Sequence, residues 1–273
     1  MSDDSPEVKA EPHRHREIAE SFGSDPARYD RARPPYPEAL IRRVIASSPG
    51  NALLDVGCGT GIEARQFQAA GCTVLGIEPD ARMAAFARER GVDVEVAKFE
   101  GWEPAGRQFD AVVAGTAWHW VDPIAGAAKA AEVLRPAGLI APFHHVFQYP
   151  PDVLRALSEA FLEVVPDSPF NLGNIGSKPA VEAYQPLFDK IADGIRAAHG
   201  FTDPNHWLFE WERTYSKDEW LDQLPTHGNL TQLPPQKLAT VLDRVGTAID
   251  KLGGRLTMPY ATVAVTARRI VGE

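Results

Sequence analysis

The chain has 273 residues, 44% of them hydrophobic and 24% charged, with a formal net charge of −9. That length suits one large domain, or one domain carrying a sizeable insertion, with a true apolar core. Lys and Arg scatter without forming a positive stripe to neutralise phosphates, which argues against RNA or DNA as a substrate. No apolar run approaches bilayer-spanning length, and the amino-terminal 16 residues lack a signal-peptide core. The two cysteines, Cys58 and Cys72, offer neither metal spacing nor a disulfide framework, so a reduced, cytoplasmic location is the default expectation.

In chain order, residues 1–15 mix acids, prolines and bases and read as a disordered tail, with His13 and His15 solvated. A short helix over 17–22 completes an N-terminal region of residues 1–28. Residues 29–37 are too proline-rich for a helix or an inner strand. Pro37 opens a helix over 38–46, in which Leu40, Ile41, Val44 and Ile45 form an apolar stripe. A regular alternation follows: strands over 52–56, 73–77, 92–97, 109–114 and 138–143, and helices over 62–70, 81–90 and 124–134. Asp80 caps the second of these helices and Gly91 stops it. Short parallel strands with intervening helices imply an α/β fold with a doubly wound, Rossmann-like sheet.

After Pro151 the alternation stops. Helical patterns over 153–165 and 181–199, with a Gly/Pro/Ser/Asn-rich loop between them, read as a helical lid insertion. It would span residues 151–206 and cover the carboxyl edge of the sheet. A strand over 207–214, helices over 217–224 and 235–252, and a last strand over 257–268 return the chain to the core, which thus comprises 29–150 plus 207–273.

The strongest local signal is Leu53-Leu54-Asp55-Val56-Gly57-Cys58-Gly59-Thr60-Gly61, an apolar strand breaking into alternating glycines before a helix. Such glycines permit backbone angles that a Cβ forbids and let a ligand lie against bare main chain. Glu78 closes the next strand, where an acid can bind ribose hydroxyls. The dinucleotide fingerprint G-x-G-x-x-G needs glycine or alanine where this chain has Ile62. Asp55 would also repel a pyrophosphate, yet suits a ligand carrying an ammonium and a sulfonium. A nicotinamide-dependent dehydrogenase is therefore the weaker reading.

These residues resemble motif I (D-x-G-C-G-T-G) of the class I AdoMet-dependent methyltransferases. The likeness extends through Val74-Leu75-Gly76-Ile77-Glu78-Pro79-Asp80, Phe109-Asp110-Ala111-Val112-Val113, the Thr116 to Trp120 run and Leu134-Arg135-Pro136-Ala137-Gly138-Leu139. Within that class the chain resembles the small-molecule "type 11" kind and is similar to the trans-aconitate methyltransferase group, in which a Tyr…Arg-Pro-x-Tyr-Pro run precedes motif I. The resemblance implies a fold with an antiparallel last strand and S-adenosylmethionine as cofactor. Its site would comprise Tyr29 and Arg33 at the methionine end, Asp55, Gly57, Cys58, Gly59, Thr60 and Gly61 in motif I, and Glu78, Pro79 and Met83 near the ribose. Phe99, Glu100, Thr116 and Ala117 would complete it. Family members carry an Asp after strand three for the adenine amino group; Lys98 stands there, with Glu100 the nearby carboxylate.

Methyl transfer from a sulfonium is an in-line displacement that requires alignment, exclusion of water and, for some acceptors, a base. His119, between Trp118 and Trp120, and His144, after strand five, are the candidate catalytic residues; a structural wedge and a polar strand end are the alternatives. Tyr36 belongs with Tyr29 and Arg33 in a stiff arm. The Trp207, Phe209, Trp211 alternation reads as strand core. Phe161, Phe170, Tyr184 and Phe188 read as a small core of the insertion, or else as the lining of an acceptor pocket. The expected function is methylation of a small-molecule acceptor, at a hydroxyl or carboxylate oxygen, with no metal. An AdoMet-binding regulator that transfers nothing carries the same motifs.

Overall fold

The computed structural model describes residues 21–166 and 179–270. The tail, the helix over 17–22 apart from its last residues, and Phe170 lie outside the described residues. Among those described, no helix is long and apolar enough to cross a membrane.

The first helix, α1 (Pro26–Ala32), contradicts the extended arm expected over 29–37. Pro26 occupies the first helical turn, where its missing N–H costs nothing, and the Asp25 side chain accepts from Arg28 N at 2.9 Å. The chain becomes extended only at Arg33, before Pro34 and Pro35. α2 (Glu38–Ser47), β1 (Ala52–Val56), α3 (Ile62–Ala69), β2 (Thr73–Ile77), α4 (Ala81–Glu89) and β3 (Asp93–Glu95) follow the expected alternation, with β3 shorter than expected. Next come β4 (Phe109–Gly115), α5 (Pro123–Val133) and β5 (Leu134–Phe147).

β5 runs well beyond the expected 138–143. Its far half pairs antiparallel with β7 (Arg255–Arg268) as far as Phe147 opposite Tyr260, so the strand continues after its parallel neighbour β4 has ended. α6 (Pro151–Val164), α7 (Ala180–Ala197), β6 (Asn205–Ser216), α8 (Lys217–Gln223), α9 (Gly228–Thr231) and α10 (Pro235–Lys251) complete the order. The seven strands run β3-β2-β1-β4-β5-β7-β6, parallel through β5, with β7 antiparallel between β5 and β6.

Apolar side chains on both faces make three layers. α2, α3 and α4 bury Leu40, Ile41, Val44, Ala64, Phe67 and Ala87 against one face. α5 and α7 bury Ala127, Ala130, Phe188, Ile191 and Ile195 against the other. β4, buried along almost its whole length, reads as an apolar run beyond Asp110 because helices cover both of its sides.

The lid expected over 151–206 divides in packing. α7 lies on the sheet beside α5, whereas α6 joins α8 and α10 in a separate apolar cluster over the far ends of β5, β6 and β7. Phe161 sits in that cap cluster and Phe188 in the sheet core. Trp207 is buried in the core with the Arg43 guanidinium carbon 4.3 Å from its ring centroid, and Trp211 stacks on Tyr260.

Candidate functional site

Beyond the ends of β1 and β4, against the far half of β5, a cleft opens. Tyr29, Arg33 and Tyr36 line it from the N-terminal arm, Gly57 to Thr60 and Glu63 from the glycine loop and α3, Gly115 and Thr116 from the end of β4, and His145 from β5.

The glycine loop takes the shape that its sequence demands. Gly57, Gly59 and Gly61 have φ of +68°, +54° and +83°, in the left-handed region that favours glycine. Gly57 N donates to the Ile77 carbonyl at 2.7 Å, tying the loop to the end of β2. A Cβ on Gly57 would stand 2.6 Å from that of Ala117, while one on Gly59 would meet nothing closer than Met83 Cε at 3.7 Å. Gly57 is thus required by packing, and Gly59 presents bare main chain to the cleft.

Three buried carboxylates flank this loop. Glu78, 7% exposed, accepts from Gly59 N at 2.9 Å and Asp80 N at 2.8 Å, one on each oxygen, which leaves lone pairs for two further donors. Burial raises its carboxyl to about 7 against these two bonds. Glu63 is 4% exposed and accepts from Gly115 N at 3.1 Å; burial raises it to about 8. Asp55 is fully buried, neither of its oxygens has a hydrogen-bond partner, and burial together with Glu63 and Glu78 holds its carboxyl well above the usual range. The Thr60 hydroxyl, 1% exposed, is likewise unpartnered. Orphaned acceptors beside open main chain fit a ligand with cationic groups and hydroxyls, as an adenosyl-sulfonium amino acid has.

The arm closes the cleft from above. Tyr36 Oη donates to Thr116 Oγ1 at 3.0 Å, and the Tyr36 ring stacks on His145 at 4.3 Å between centroids. The Arg33 guanidinium lies 5.0 Å from the Tyr29 ring centroid and donates through Nη2 to the Thr226 carbonyl in the cap, while its Nε has no partner. Arg28 and Arg31 hold Asp222 of α8, a second tie between arm and cap.

Around Arg33 gathers a half-buried cluster of polar aromatics. His144 stands 5.4 Å from His119 and 5.4 Å from Tyr184 between ring centroids. Tyr149 Oη is 3.3 Å from His227 Nδ1. Burial lowers His119 to about 4 and leaves its Nδ1 unpartnered; it lowers His144 and His227 well below the ordinary imidazole value. The positive charge of Arg33 pushes His144 and His227 further down and acts against the burial that raises Tyr149 and Tyr184.

Phe99 packs on Trp118 at 6.1 Å, and Met83 is buried beside Gly59. Glu100 Oε1 accepts from Asp122 N at 3.0 Å, holding the start of α5, and Lys98 and Pro79 are exposed. The structure brings Tyr29, Arg33, Gly57, Cys58, Gly59, Thr60 and Thr116 to one cleft, and His119 and His144 together in the aromatic cluster. Sequence reasoning missed Glu63, Tyr149 and His227; of the adjacent His144 and His145 it expected one to face the acceptor pocket and chose His144, whereas His145 is the one that lines the cleft. Only Glu63 had a signal, as an acid on the helix face that also carries Ala64 and Phe67.

A family model of the methyltransferase domain matches residues 53–138. The nocamycin O-methyltransferase of Saccharothrix syringae is 31% identical over 250 residues, covering 82% of this chain and 88% of that protein. The chain belongs to the class I AdoMet-dependent methyltransferases. A trans-aconitate 2-methyltransferase of Mycobacterium ulcerans is 31% identical over 170 residues, 57% of this chain and 62% of its own. A solved structure from Anaeromyxobacter dehalogenans, assigned as a type II methyltransferase, superposes with a TM-score of 0.59 at 23% identity over 88% of this chain and 99% of its own. The methyltransferase fold, S-adenosylmethionine as methyl donor and the antiparallel end of the sheet all agree with the expectation from motif I.

Proposed function

We propose that this methyltransferase methylates an acidic oxygen, a carboxylate in preference to a neutral hydroxyl, on a small molecule seated among the polar aromatics around Arg33. The observation that carries this reading is Arg33, a permanent cation with an unpartnered Nε, set among histidines and tyrosines that are all neutral near pH 7. Two relatives, named for O-methylation and for trans-aconitate, support oxygen as the acceptor atom.

The bound S-adenosylmethionine supplies an electrophilic methyl group on a sulfonium. Glu78 would hold the ribose hydroxyls, the Gly57 to Gly61 main chain would carry the body of the cofactor, and Tyr29 would face its cationic end. Arg33 would draw in and orient the acceptor anion, with His119 and His144 as neutral hydrogen-bond partners. A carboxylate is already ionised, so no base is needed; drying and alignment of the oxygen supply the rate. We further propose that α6, α8 and α10 act as the acceptor-side cover, while the arm from Tyr29 to Tyr36 covers the cofactor.

The test is methyl-tritiated cofactor incubated with a metabolite extract. Carboxylate methylation gives an ester that releases labelled methanol in mild alkali, whereas an ether or an N-methyl group retains the label. Alkali-stable product would overturn the reading. With the acceptor identified, Arg33→Leu should raise its KM about 10- to 100-fold, since charged hydrogen bonds contribute ~1.5–3 kcal/mol.

A further inference from the structure

The cleft contains an acid that neither the motif nor the fold requires. Glu63 opens α3 just after the glycine loop, on the buried face of the helix. Its Oε1 reaches the end of β4 because residue 115 is glycine; a Cβ there would stand 2.2 Å from that oxygen. Facing it are Asp55 from β1 and Glu78 from β2, both carboxylates, Tyr29 and Tyr36 from the arm, and His145 from β5. Arg65 on its own helix lowers the Glu63 carboxyl through its charge, yet it is held by Asp30 at 2.6 Å and by the Thr60 carbonyl and makes no ion pair with Glu63. Arg33 is turned toward the cap by the Thr226 carbonyl. Among the described residues, none of the three carboxylates makes an ion pair. The fully buried Asp55 oxygens and the buried Thr60 hydroxyl, which lines the cleft, have no partner at all.

Three acids packed at this depth without an ion pair of their own resist ionising together, so protons occupy the site until a cation replaces them. We infer that Glu63, with Asp55 beneath it, is the seat of the cofactor's amino-acid ammonium, and that seating this ammonium expels protons from the acid cluster. The inference rests on the methyl-donor reading above and adds to it a recognition residue and a proton linkage. Its geometry requires the methionine end of the cofactor to lie between the glycine loop and the end of β4, the wall that Glu63, Gly115 and Thr116 share. The raised carboxyl of Glu63, at about 8, agrees with a group that gives up its proton only when a positive charge arrives.

Glu63→Gln tests this, because the amide oxygen can still accept from Gly115 N and keep the loop in place. Three probes are titrated by calorimetry into wild type and variant: S-adenosylmethionine, S-adenosylhomocysteine, and methylthioadenosine, which lacks the amino-acid portion. The first two should weaken about 10- to 100-fold in the variant, the range lost with a charged hydrogen bond, while methylthioadenosine should be unchanged. Near neutral pH the wild type should release protons on binding S-adenosylmethionine, seen as heats that depend on the ionisation enthalpy of the buffer, and the variant should release fewer. Equal losses for all three probes, or no loss for any, would overturn the role of Glu63. A wild type that binds none of them would instead remove the methyl-donor reading beneath it.

Discussion

Replacing Glu78 by Ala removes two functions of one carboxylate, and they can be separated. The side chain anchors the loop through Gly59 N and Asp80 N, one bond to each oxygen, and each oxygen keeps a lone pair for a further donor. Two ribose hydroxyls donating to an ionised carboxylate contribute ~1.5 kcal/mol each at the lower end of charged hydrogen bonds, or about 3 kcal/mol together, a ~100-fold loss of affinity. Lost anchoring of the loop adds to this, but weakens every ligand alike. The assay is therefore a cycle in which wild type and Glu78→Ala each bind S-adenosylhomocysteine or its analogue lacking both ribose hydroxyls. It is read by calorimetry at about pH 8, above the value near 7 at which Glu78 gains a proton. The expected coupling between side chain and hydroxyls is about 2–3 kcal/mol. A coupling under about 0.5 kcal/mol, with a large loss for both ligands, would show that Glu78 acts through the loop alone.

Three further outcomes follow from the same geometry. Gly57→Ala, with φ at +68° and a 2.6 Å approach to Ala117, should destabilise the fold by roughly 1–3 kcal/mol in a denaturant melt, whereas Gly59→Ala should melt nearer wild type yet bind the cofactor poorly. Stability of the cofactor-free protein should peak near pH 6.5. The buried neutral histidines, lowered to about 4 at His119 and about 3 at His145, take up protons on unfolding, so stability is lost as pH falls below that point. Glu78 and Glu63, raised to about 7 and about 8, release protons on unfolding, so stability falls as pH rises toward 8; a denaturation series still climbing from pH 6.5 to 8 would contradict this. His119→Ala should weaken acceptor binding more than turnover, and the wild-type rate should show no step near pH 6.5 assignable to this imidazole, as a pH–rate series on both proteins would report.

Much of the parallel half was legible because each strand and helix carries its own signal. The β4 apolar run, the Asp80 cap and the glycine turn are local features, and the structure realises them within a residue or two. The misses are places where distant chain decides. β5 continues to Phe147 because β7, more than a hundred residues later, pairs with it, and no local pattern announces that partner. α6 and α7 have similar amphipathic patterns, yet one joins the cap and the other the sheet; which apolar surface an apolar stripe meets is a tertiary fact. In the site, Gly57 and Glu78 stand in a motif whose spacing has one physical reading. His227 and Tyr149 come from the cap and meet Arg33 only through folding.

The length of β5 has a consequence for how such an enzyme can change its chemistry. Adjacent residues on an extended strand face opposite ways, so His144 turns to His119 and Tyr184 while His145 turns to Tyr36, Trp211 and Thr262. One strand thereby acts as a partition with a different tenant on each side. On the proposed seating, a substitution at 144 would rewrite the wall that the acceptor meets and leave in place the contacts of His145 with Tyr36, Trp211 and Thr262. Under that proposal the strand would let acceptor preference change at one position while the methyl donor stays the same.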